Sequence, residues 1–135
     1  MGRRDVITAV LVKSGRILLL LRSQQVGSFQ GKWACVSGYI EGEEDDLDRA
    51  YTEIREETGI DRDSLVLEKR GHEIPVESGE TLWVVHPFLF RLVSDVEPVL
   101  NWENTEYRWV TPDMILSYDT VPGLEMVFRE LGILQ

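Results

Sequence analysis

At residue 43 the apolar spacing of the chain changes period, and that change limits the folds open to it. Upstream, residues 6–12 (VITAVLV) and 16–22 (RILLLLR) are β-branched and aliphatic runs joined by Lys-Ser-Gly. This is the pattern of a hairpin with a glycine-containing loop. Downstream, Leu47, Tyr51 and Ile54 fall at i, i+4 and i+7 with Ala50 beside them, and Gly59 follows as a stop. One apolar stripe at that spacing predicts an amphipathic helix packed on something flat.

The remaining segments fill in that picture. Residues 23–32 are polar with two glycines and read as a loop, and WACVSG (33–38) reads as a short buried strand. Two strand-like runs, 64–76 and 80–93, flank the turn-rich Glu-Ser-Gly. YRWV (107–110) is a further strand. Thr111 is placed as an N-cap with Pro112 at the first helical position, and residues 121–131 form a second amphipathic helix. Strands, helix, strands, helix in this order predict an α/β fold with a mixed β-sheet flanked by helices. No repeat, low-complexity tract or linker divides the sequence, so residues 1–135 read as a single domain.

The predicted helix carries an unusual charge load. From Glu43 the chain reads EEDDLDRAYTEIREE, and Glu53, Glu56 and Glu57 fall within roughly a 100° arc of the helix. Like charges at this spacing oppose the helix by a few tenths of a kcal/mol per pair, about 0.2–0.5. Either the run is a solvated face, or something positive belongs against it. Convergent hard oxygen ligands are what Mg²⁺ or Mn²⁺ requires.

Charge and cysteine content exclude several classes. Fourteen basic against twenty-four acidic residues leave a net charge of −10, which opposes binding to duplex nucleic acid or an anionic membrane. A small phosphorylated ligand stays compatible if cations neutralise the site. The single cysteine, Cys35, allows no internal disulfide and sits in an apolar run as a small buried hydrophobe. The run at 17–21 is too short to span a bilayer and no leader-like segment is legible, so a cytoplasmic protein is expected.

Read from Gly38, the spacing is glycine, five residues, Glu44, seven residues, then Thr52, Glu53, Ile54, Arg55, Glu56, Glu57, Thr58, Gly59, Ile60. It resembles the Nudix box of the Nudix hydrolase superfamily (MutT-like proteins): G, five residues, E, seven residues, R-E-U-x-E-E-x-G-U, with U a bulky aliphatic. Two positions depart. Thr52 stands where the family has an arginine that orients a neighbouring glutamate, and Glu43 stands where a glycine is usual. Arg49, four residues before Glu53, can reach the same face. The likeness extends to GKWACVSGYIEGEE and TEYRWVTPDMI, and it implies the Nudix α/β/α sandwich.

The resemblance also implies chemistry: Mg²⁺- or Mn²⁺-dependent hydrolysis of a pyrophosphate bond in a nucleoside diphosphate linked to another moiety. The alternative is a catalytically weak Nudix-fold nucleotide sensor, which Thr52 keeps in view. By resemblance Glu56 and Glu57 are metal ligands, Glu53 a ligand or the general base, and the Gly38 carbonyl a further ligand. Glu44 supports the loop–helix junction. Glu103 and Glu106 are candidates for a base outside the box, or solvated acids. Arg22 is a candidate phosphate contact or a surface ion pair. Trp33 and Trp102 are candidates to stack on a base, or core anchors. His72 and His86 lack ligand spacing and read as structural. Specificity is expected in residues 70–85. The expected partner is a small nucleotide-like substrate, and a homodimer, common among members, is left open.

Overall fold

The computed structural model describes residues 2–135, and Met1 lies outside them. Its centre is a parallel pair, β1 (Gly2–Lys13) and β7 (Thr81–Leu92), in register from Gly2↔Thr81 to Val12↔Arg91. Each long strand changes partner along its length. β1 pairs at its far end with β2 (Arg16–Arg22) and over Val6–Ala9 with β4 (Val36–Tyr39). β7 pairs with β6 (Ile74–Ser78) over its first half and β5 (Leu65–Arg70) over its second. β2 also carries β3 (Trp33–Ala34) and β8 (Asn104–Val110), which completes an eight-stranded mixed sheet.

Strand alternation sends side chains to both faces, and each face has its own helix. On one face Ile7, Ala9, Leu11, Leu18, Leu20, Phe88 and Phe90 pack under α1 (Asp46–Thr58) through Ala50 and Ile54. On the other, Val10, Ile17, Leu19, Val85 and Val110 pack under α2 (Leu124–Glu130) through Val127 and Phe128. This is the expected α/β/α arrangement.

α1 forms where the apolar stripe predicts it, and its ends are defined. The Asp45 carboxylate accepts from the Asp48 N–H (3.0 Å), satisfying one of the free donors at the helix start. Gly59 takes a left-handed φ of 71° and donates to the Arg55 carbonyl (2.9 Å).

Four expectations need correction. WACVSG is not one strand: β3 and β4 break at Cys35 and pair with β2 and β1 respectively. The run 64–76 is two strands rather than one. The Gly71 N–H still donates to the Pro87 carbonyl (3.0 Å), but Pro87 has no N–H to return, and the ladder breaks over residues 72–73 before β6. The last helix is shorter than residues 121–131, because the Val121 N–H donates to the Trp33 carbonyl (2.9 Å) and Gly123 turns the chain at φ 86°. Thr111 makes no side-chain cap. It precedes a 3-10 stretch (Pro112–Ser117), and Pro112 does occupy its start.

Candidate active site

α1 and β4 meet at the point where β1 hands over from β2 to β4. There α1 presents not only its apolar stripe but also Glu53 and Glu57, which are 7% and 3% exposed. Gly38 on β4 lies against Glu53 so closely that a Cβ there would overlap the Glu53 carboxyl carbon. The third acid comes from the turn before β8: ligand oxygens of Glu53, Glu57 and Glu103 all lie within 4.8 Å of one another.

Burial and mutual repulsion set the electrostatics. The Glu53 carboxyl is pushed up to about 7, first by burial and then by Glu56 and Glu103, with Arg49 opposing. Burial, then Glu103 and Glu53, hold the Glu57 carboxyl well above the usual range. Glu57 Oε1 accepts from Asn104 Nδ2 (3.3 Å), while buried Oε2 has no hydrogen-bond partner among the described residues. A buried, unsatisfied carboxylate oxygen is costly, and here it points to a missing positive partner. Three carboxylates within reach of one point, one of them with an orphaned oxygen, fit a divalent cation of the Mg²⁺ type.

The arginine absent from position 52 has a substitute. Thr52 is exposed, whereas Arg49 donates to both Glu44 oxygens (2.8 and 2.9 Å) and to Glu53 Oε2 (3.3 Å). Glu44 Oε1 also accepts from the Glu41 N–H (2.7 Å), so Glu44 braces the turn into the helix. Glu56 is exposed and lies outside the close triad, although its charge acts on Glu53. Glu106 is not with the other acids: its carboxylate pairs with Arg108 (2.9 Å) on β8.

A cavity of about 380 Å³ opens beside the acids, lined by Gly38, Arg49, Glu53 and Glu103 on one side. Its other walls include Phe29, Tyr39, Trp83 and Trp102, and it adjoins Arg22. The Arg22 guanidinium is already engaged, donating twice to the Ser28 carbonyl (3.1 and 2.9 Å) and shaping the 23–32 loop. Trp33 does not line the cavity. It packs edge-on to Tyr118 with Arg108 over its ring, so a stacking role for it is corrected in favour of other aromatics. Phe29, Tyr39 and Trp83 form a connected group, with Trp83 stacked on Tyr39 at 6.1 Å and tilted to Phe29 at 6.0 Å.

Sequence reading missed Phe29, Tyr39, Trp83, Asn101 and Asn104. Trp83 does fall inside the segment expected to carry specificity, and the two asparagines flank Glu103 in NWEN. Cys35 is buried, as expected, and burial pushes its thiol up. His86 sits outside the site, between Asp46 (3.0 Å) and Asp5 (3.1 Å), tying the first turn of α1 to β1.

The fold, the glycine-backed glutamate helix and the box spacing together define a hydrolase class. A family model for the NUDIX domain matches residues 1–131, and the chain belongs to the Nudix hydrolase family. It is similar to the nucleoside triphosphatase NudI of Klebsiella pneumoniae (strain 342), at 24% identity covering 99% of this chain and 100% of that protein. The MutT protein from Methanosarcina mazei Go1 is 27% identical, with a TM-score of 0.79 over 96% of both chains. A C. elegans Ap4A hydrolase binary complex shares the fold at 17% identity, with a TM-score of 0.82 over 96% of this chain and 95% of that one.

Proposed function

We propose that this Nudix hydrolase cleaves the pyrophosphate bond of a nucleoside diphosphate linked to another group, with Mg²⁺ or Mn²⁺ bound at the buried acids. The observation that carries the reading is the orphaned Glu57 oxygen beside Glu53 and Glu103. Glu57 and Glu103 are the carboxylates assigned to the ion, with Glu56 and the Gly38 carbonyl as further donors by family resemblance. A bound divalent ion would supply charge neutralisation for the polyanionic substrate and acidify a water molecule. Glu53, buried and oriented by Arg49, is the base. It takes the water proton as the water oxygen bonds to one phosphorus. The bridging P–O bond breaks, and its electron pair leaves on the departing phosphate. Phe29, Tyr39, Trp83 and Trp102 supply flat apolar surface for a base.

No helix among the described residues is long and apolar enough to cross a membrane. The proposed location is cytoplasmic. The test is a panel of nucleoside triphosphates, dinucleoside polyphosphates, ADP-ribose and nucleotide sugars with Mg²⁺ or Mn²⁺, scored by phosphate or pyrophosphate release. Glu57→Gln is expected to abolish turnover with an unchanged fold. Nucleotide binding without metal-dependent turnover of any of these compounds would instead identify a sensor.

A further inference from the structure

We propose that Asn101 and Asn104, the two ends of one turn, are positioning residues that aim Glu103 and Glu57 at a shared divalent cation. The inference rests on the reading of these acids as the ion's donors. Asn101 Nδ2 donates to Glu103 Oε1 (3.2 Å), and its own Oδ1 accepts from the Glu103 N–H (3.0 Å). Asn104, 6% exposed, donates through Nδ2 to Glu57 Oε1 (3.3 Å). The same turn is anchored to the end of β2, because the Ser23 N–H donates to the Glu103 carbonyl (2.8 Å). One four-residue turn therefore sets a carboxylate of its own and one from α1.

The chemistry of the clamp matters as much as its placement. Each carboxylate has two oxygens, and a carboxamide N–H occupies one of them while leaving the other free. On Glu57 the free oxygen is the buried orphan Oε2. A carboxamide is also neutral, so it orients an acid without cancelling the charge that attracts the cation. A lysine or arginine at 101 or 104 would compete with the ion for the same charge. The one arginine on the triad, Arg49, contacts Glu53, the acid assigned to proton transfer. Partners that hold metal ligands in place typically change metal affinity by about 10–100-fold.

The experiment measures Mn²⁺ affinity of the substrate-free protein by electron paramagnetic resonance, with circular dichroism as the fold check. Asn101→Ala and Asn104→Ala are each expected to weaken Mn²⁺ binding about tenfold or more. The two-mutation cycles are decisive: Asn101→Ala adds nothing to Glu103→Gln, and Asn104→Ala adds nothing to Glu57→Gln. If Asn104→Ala does not fold, the half-buried Asn101 arm still decides the proposal. Wild-type affinity in the folded single variants, or full additivity on the glutamine backgrounds, overturns the positioning role while leaving the metal reading intact. A wild-type protein that binds no Mn²⁺ overturns both.

Discussion

Position 52 shows that a family's charge need not come from the family's residue. The guanidinium that meets Glu53 starts from Arg49, three residues before position 52, and also locks Glu44. Arg49→Met is therefore expected to lower kcat/KM by about 10–100-fold, measured by steady-state product release. Thr52→Arg, on an exposed site whose task is already filled, should leave it within about twofold. A large gain from Thr52→Arg would show that Arg49 does not orient the base. Gly38→Ala is a sharper test of packing: with no room for a Cβ, Glu53 must move, and turnover is expected to fall by about 100-fold. Arg49 was legible in the sequence because i,i+4 spacing puts it on the Glu53 face. Asn101, Asn104 and Phe29 were not, since nothing local shows which distant side chain a turn will meet.

At the scale of elements, α1 carries two carboxyls that resist ionisation. Glu53 is raised to about 7 and Glu57 also lies above its ordinary value of 4.5. Across this interval the folded chain keeps protons that the unfolded chain has released, so stability falls as pH rises through it. Asp5, Glu44 and Asp46 are shifted downward, and their stabilising contributions are lost only at more acidic pH. Without divalent ions, the melting temperature is expected to decline between about pH 5 and 7.5. Mg²⁺ should flatten the decline, because it binds the deprotonated acids. Glu57→Gln should shrink it. A metal-free melting temperature that rises across that interval would contradict the assigned shifts.

The elements themselves were unevenly legible. α1 has a long stripe, an aspartate cap and a glycine stop, so local signals agree with tertiary packing. α2 starts three residues later than predicted because Val121 is recruited by a backbone partner, Trp33, that lies far away in sequence. The break between β5 and β6 is written in Pro87 on the neighbouring strand, where a reading of residues 64–76 alone cannot find it. The α/β/α layering was still recoverable from the order strands, helix, strands, helix and from the box resemblance.

For the molecule as a whole, a net charge of −10 opposes the approach of a polyanionic ligand. Nucleotide affinity should consequently depend on the divalent ion rather than only turnover. Calorimetric titration with a nucleoside triphosphate is expected to show binding with Mg²⁺ and at least about tenfold weaker binding with chelator present. Equal affinity in the two conditions would place the ligand away from the acids.

The partner exchange along β1 has an engineering consequence. The acids hang from α1 and the turn before β8, with Gly38 of β4 against them, whereas Phe29 comes from the 23–32 loop and Trp83 from β7. Phe29 and Trp83 thus lie apart in the chain from the acids, while Tyr39 and Trp102 adjoin Gly38 and Glu103. On the proposed function, libraries that randomise Phe29 and Trp83 are expected to retune ligand choice while leaving the acids in place, which makes this scaffold a tractable starting point for directed evolution.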